Sequence, residues 1–194
     1  MKKHLFLCGS VSRELSALLR AELGPALAAA GGYITETVET PGGAERTLLL
    51  PAAAAGGVDG FEGRLVYEIS DGAARKDNEV FRGEGVRLLQ EAAWYPFAVL
   101  DRFGGFELVI PQFRGALAEL LSSELPLVGV VFGREEALTL GRSLGLGDRF
   151  EKLVDRLHEA LRGDPETALL SVGAADTENA RRLLRQWAQK YVFC

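Results

Sequence analysis

Two cysteines, two histidines and a single methionine are all the sulfur and imidazole groups that the 194-residue chain offers to metal or redox chemistry. Cys8 and Cys194 have neither a CxxC spacing nor a Cys/His cluster, which excludes a disulfide framework and argues against a structural zinc site. His4, beside Lys2 and Lys3, reads as an exposed strand-start residue, and His158 has no second ligand at metal spacing. A basic surplus is also lacking. The 22 Lys and Arg face 27 Asp and Glu, for a net charge of −5 and an isoelectric point near 5.2. That balance does not suit a phosphate backbone, so no nucleic-acid partner is expected. No apolar run approaches the roughly 20 residues of a membrane span, and the run after Lys2-Lys3 is too short for a signal peptide. The expected compartment is the cytoplasm, with no membrane partner. No G-x-S-x-G elbow or other nucleophile motif is present.

What the chain does have is a 47% apolar composition and short apolar runs alternating with helical patterns. This is the signature of an α/β sheet in one domain spanning 1–194. Leu5 to Cys8 reads as a buried first strand, followed from about Arg13 by a helix with Leu15, Leu18, Leu19 and Leu23 on one face. The runs 32–39 and 46–50, joined by Thr40-Pro41-Gly42-Gly43, read as a β-hairpin, and the Ala/Gly-rich stretch 51–60 as a loop. Further strands are expected at 65–69, 97–101, 127–132 and 168–172, the 97–101 run up to Asp101 and the 127–132 run being continuously apolar like parallel, doubly covered strands. Helices are expected around Phe113–Leu121, Phe150–Leu161 and Ala180–Tyr191. Trp187 belongs to the apolar stripe of the last of these, and Arg181, Arg182 and Arg185 to its solvated face. Trp94-Tyr95-Pro96 is expected to pack a helix–strand junction.

The first strand-to-helix turn is where chemistry is expected, because anions favour the free N–H groups of a helix start beyond a strand end. Against the phosphate-loop pattern G-x-x-x-x-G-K-[ST], Gly9 and the hydroxyl of Ser16 match, whereas Glu14 and Leu15 replace the second glycine and the lysine. The candidate phosphate-binding residues are thus Gly9, Ser10, Val11, Ser12, Arg13, Glu14, Leu15 and Ser16, with Ser12 read alternatively as a helix N-cap. Asp101, at the tip of an apolar strand, stands where such a protein holds Mg²⁺, with Ser16 as its partner ligand if nucleotide binds. Cys8 reads as a small buried hydrophobe.

Four segments resemble the small P-loop nucleoside-triphosphatase family, sometimes called the cancer-related nucleoside-triphosphatases. They are Leu5 to Leu19, the Gly31-Gly32-Tyr33-Ile34-Thr35-Glu36-Thr37-Val38 run, Glu79 to Leu89, and Ala98 to Leu108 continuing into Phe113-Arg114-Gly115-Ala116-Leu117. The similarity covers roughly 3–50 and 79–132, and 134–164 looks like an inserted helical pair. The resemblance implies a three-layer α/β/α P-loop NTPase-like fold, mainly parallel, with the hairpin added. It implies a nucleoside triphosphate or diphosphate as ligand.

The departures fall on the family's chemistry. Leu15 cannot neutralise phosphate, Glu14 adds negative charge, and Arg102 replaces an acidic group that resembles a water activator, while Asp101, Glu107 and Ser16 remain. Since phosphoryl transfer depends on positioned charge, hydrolysis is expected to be weak or lost, leaving a binding or scaffold module. One alternative is an active enzyme with Arg13 or Arg102 in place of the lysine, and Glu107 as a further catalytic candidate. Another is a sensor of a different anion at the same sheet edge. A protein partner is left open.

Overall fold

The computed structural model describes residues 1–9, 11–56, 64–70, 73–173 and 176–193. The chain runs β1 (His4–Gly9), α1 (Ser12–Leu23), β2 (Ala30–Glu39), β3 (Glu45–Pro51), β4 (Arg64–Ser70), β5 (Ala73–Lys76), α2 (Asn78–Val80) and α3 (Val86–Glu91). It continues through β6 (Phe97–Phe103), α4 (Pro111–Leu121), β7 (Leu127–Phe132), α5 (Arg134–Ser143), α6 (Asp148–Gly163), β8 (Thr167–Ser171) and α7 (Thr177–Tyr191). The strands form one sheet in the order β5-β4-β3-β2-β6-β7-β1-β8. From β2 to β8 every neighbour is parallel, and the β2–β3 hairpin begins an antiparallel extension through β4 and β5.

Alternation along the strands feeds two cores, because successive side chains leave a strand on opposite faces. Leu5, Leu7, Phe97, Val99, Val128 and Val130 point to the face covered by α1 and α7, where Leu19, Leu184 and Trp187 are fully buried. Phe6, Ala98, Leu100, Leu127 and Val131 point to the other face, under α3, α4, α5 and α6. The result is the three-layer α/β/α arrangement. Between α2 and α3 a π turn, Phe81–Gly85, lets Phe81 pack against the rings of Tyr33, Phe106 and Phe113.

The Gly31-Gly32 pair is explained by packing. Gly32 has φ +79°, and a Cβ there would lie 2.2 Å from the Val99 carbonyl oxygen on the neighbouring strand. The helical pair expected at 134–164 is α5 and α6, which form the crossover from β7 to β8 and contribute Val154 and Leu161 to the core.

Three readings need correction, and one strand was not anticipated. His4 is buried rather than exposed, since β1 lies between β7 and β8, and its N–H donates to the Glu166 carbonyl. Trp94 is 80% exposed and packs no junction, although Tyr95 reaches Gly31. The stretch after β3 continues as a 3-10 turn, Ala52–Gly56, that buries Ala52, and the rest of the expected loop lies outside the described residues. Strand β5, which has no apolar alternation to reveal it, pairs antiparallel with β4.

Candidate functional site

Strands β1, β6, β7 and β8 end together at Gly9, Phe103, Phe132 and Ser171, the edge where open α/β sheets take ligands. A cleft of about 830 Å³ lies over this edge, lined among others by Gly9, Arg102, Phe132, Glu136, Leu140 and Val172.

Only two residues separate β1 from α1, and of these Ser10 lies outside the described residues. Gly9 is required by close packing: a Cβ on it would lie 2.6 Å from the Val172 carbonyl oxygen. The exposed residue Val11 is the α1 N-cap and supplies no side-chain cap. Ser12, read from the sequence as that cap, is instead the first helical residue, because its side chain is drawn to α5. The Ser12 hydroxyl donates to Glu136 Oε1 at 2.7 Å, and the Ser12 N–H donates to Glu136 Oε2 at 3.2 Å. A carboxylate of the protein thus holds the helix N-terminal position that favours an anion.

The other loop candidates separate. Glu14 is exposed, while Leu15, at the lysine position, is buried among the core residues of the α1–α7 face, its Cδ1 3.2 Å from where a Cβ on Gly9 would lie. Arg13 turns out over the sheet, where both its terminal nitrogens donate to the Glu45 carboxylate on β3, at 3.3 and 3.0 Å.

Ser16 and Asp101 do meet, as the sequence suggested. The Ser16 hydroxyl donates to Asp101 Oδ2 at 2.7 Å, and the same oxygen accepts from the Thr35 N–H at 3.0 Å. Arg20 Nη2 donates to Ser16 Oγ and to the Thr35 carbonyl, and stands 3.8 Å from the carboxylate. Asp101 is fully buried, and that burial pushes its carboxyl above the usual range against the pull of Thr35, Ser16 and Arg20. Asp101 Oδ1 has no hydrogen-bond partner among the described residues, whereas Oδ2 is taken by Ser16 and Thr35 with Arg20 alongside. Mg²⁺ prefers near-octahedral oxygen ligands and keeps several waters, and in this arrangement Arg20 supplies the positive charge beside the carboxylate. Among the described residues no three His, Cys, Asp or Glu could hold a metal ion together.

Two arginines line the cleft: Arg134, which is paired with Glu135, Glu151 and Asp155, and Arg102, which among the described residues is paired with no carboxylate. Arg102 sits at a bulge where β6 slips its register against β7, with a φ of 55° that a non-glycine residue rarely adopts. It is 7% exposed. Its guanidinium donates to Ser12 Oγ, Thr37 Oγ1 and Tyr67 Oη at 3.1, 3.2 and 3.1 Å, and lies 5.2 Å from the Phe132 ring centroid.

Glu107 lies behind the strand tip rather than in the cleft. Its Oε1 accepts from the Gly104 and Gly105 N–H groups at 2.6 and 2.8 Å, and burial lifts its carboxyl to about 7. Cys8 lines the cleft half-buried, its thiol pushed up by burial and so poorly nucleophilic.

Sequence reasoning missed Glu136, Tyr67, Thr35, Thr37 and Arg20. For Glu136 one signal was present: Arg134-Glu135-Glu136 directly follows an apolar strand, which puts acidic residues at the ligand edge.

The fold is P-loop NTPase-like, with parallel strands ending at one sheet edge and a two-residue connection between β1 and α1. Among solved structures the chain is similar to THEP1 from the hyperthermophile Aquifex aeolicus. The TM-score is 0.60 at 14% identity, with 93% of this chain and 98% of that one covered. Neither the protein-family models nor the curated proteins give a match. Among the described residues no helix is long and apolar enough to cross a membrane.

Proposed function

We propose that the chain is a divergent relative of the small P-loop nucleoside-triphosphatases in which hydrolysis is lost and the sheet edge serves as a binding module. One observation carries this reading: the Glu136 carboxylate accepts from the Ser12 N–H and hydroxyl at the start of α1. A phosphate arriving there meets a carboxylate in place of free N–H donors, and repulsion between such charges at roughly 4–6 Å costs on the order of 1–4 kcal/mol. The burial of Leu15 supports the same reading, since no lysine stands by to offset that charge. The test is isothermal titration of ATP, GTP and their diphosphates, with and without Mg²⁺. The reading expects weak nucleotide binding, with millimolar dissociation constants that Mg²⁺ does not change. Micromolar, Mg²⁺-dependent binding would overturn it.

The second reading is an active nucleoside-triphosphatase with a rewired cation. It is favoured by Arg102, whose Nε lies 3.1 Å from Ser12 Oγ, and not by Arg13, which is engaged with Glu45. Under this reading Arg102→Ala abolishes Mg²⁺-dependent phosphate release and Arg13→Ala leaves it intact.

A further inference from the structure

Arg102 carries a cost that the loss of hydrolysis does not explain. Its charge is buried, its backbone is strained, and among the described residues it enters no ion pair, only hydrogen bonds to three hydroxyls. Buried charges are ordinarily paired, and strained residues that persist tend to sit at binding sites. Three of its five N–H donors are used, which leaves two on a side chain that lines the cleft. The Ser12 hydroxyl accepts from Arg102 and donates to Glu136, so cation and carboxylate are linked through one side chain at the start of α1.

We propose that this cleft binds an organic oxyanion, one carboxylate or phosphate group on an apolar body, which pairs with Arg102 and displaces Glu136 from Ser12. Arg134 is already neutralised by Glu135, Glu151 and Asp155, so one uncompensated guanidinium and one helix terminus remain, which match a single oxyanion head and not the multiple charges of a triphosphate. Phe132, Leu140, Ile69 and Val172 supply the apolar wall for the body. Glu136 holds the anion position while the cleft is free. It projects from the first turn of α5, half-buried, so it can swing away without opening a core. The inference rests on the binding-module reading and specifies its ligand.

The experiment is isothermal titration of inorganic phosphate, phenyl phosphate, benzoate and ATP onto the wild type, Glu136→Gln and Arg102→Gln. Phenyl phosphate or benzoate is expected to bind one to one, and the better of the two identifies the head group. Glu136→Gln is expected to tighten that binding about tenfold, because the site no longer starts occupied by its own carboxylate. Arg102→Gln is expected to weaken it at least about tenfold through loss of the charge-assisted bonds. If Arg102→Gln does not fold, Glu136→Gln decides, since its side chain is at the surface of the cleft. Unchanged or weaker binding in a folded Glu136→Gln protein overturns the inference, as does failure of both organic anions to bind either protein. Equal affinity for inorganic phosphate overturns the apolar body. If ATP alone binds, with a millimolar dissociation constant that Mg²⁺ does not change, and neither substitution affects it, the binding-module reading stands and this inference fails.

Discussion

Ser16 and Asp101 occupy positions where a nucleotide-hydrolysing relative would ligate Mg²⁺, yet their hydrogen bond makes them a structural pair. The Ser16 hydroxyl is one of three donors to Asp101 Oδ2, beside the Thr35 N–H and hydroxyl, so Ser16→Ala removes one hydrogen bond to a buried carboxylate. Urea unfolding should show a loss of about 1.5–3 kcal/mol in stability, the usual contribution of a hydrogen bond to a charged group. Glu107 makes a second, pH-dependent prediction. Its carboxyl is raised from 4.5 to about 7, so between those values the folded protein holds a proton the unfolded chain has released. Stability from this group is therefore full below about pH 4.5 and falls as pH rises through 7, by up to about 3 kcal/mol. Glu107→Gln keeps an oxygen for the Gly104 and Gly105 N–H groups and removes the titration. Denaturant midpoints at pH 5 and pH 8 should lie closer together in the variant than in the wild type. An identical pH profile in the two proteins would contradict the burial argument.

Helix α1 shows why repairing the phosphate-loop pattern does not restore a phosphate site. Leu15 is 7% exposed and belongs to the core on the α1–α7 face of the sheet, so Leu15→Lys places an ammonium in apolar surroundings. The variant is expected to lose about 2–5 kcal/mol of stability, as for other core disruptions, and to gain no nucleotide affinity, even when combined with Glu14→Gly. Calorimetry beside thermal unfolding checks both parts. A folded double variant that binds ATP tightly would show that the loop needs only its side chains back. The apolar spacing of Leu15, Leu18, Leu19 and Leu23 made this helix legible in the sequence. The partner of its first residue was not legible, because Ser12 and Glu136 are 124 positions apart and meet only through the placement of α5 against the β1 edge. The bulge at Arg102 was hidden for a related reason: it is a register shift between β6 and β7, which no local pattern in residues 97–103 announces.

Across the molecule, the parallel strands could be read because both faces are covered and their apolar runs are continuous, as in Phe97–Leu100 and Leu127–Phe132. The hairpin could be read because Gly43, with φ +79°, closes a turn that few other residues allow. The site divides differently. Residue identity located Asp101, Ser16 and Arg102, but whether each serves a ligand or the fold depends on contacts from distant elements. Those contacts place Ser16 and Asp101 in a buried network, Arg13 on the surface, and Arg102 in the cleft beside a carboxylate at the helix start. The most direct test of that arrangement is phosphate release from ATP and GTP, with Mg²⁺, by the wild-type protein. Release no faster than without protein is the predicted result. Mg²⁺-dependent turnover, abolished by Arg102→Ala, would mean that the helix start still receives phosphate and that the account is wrong.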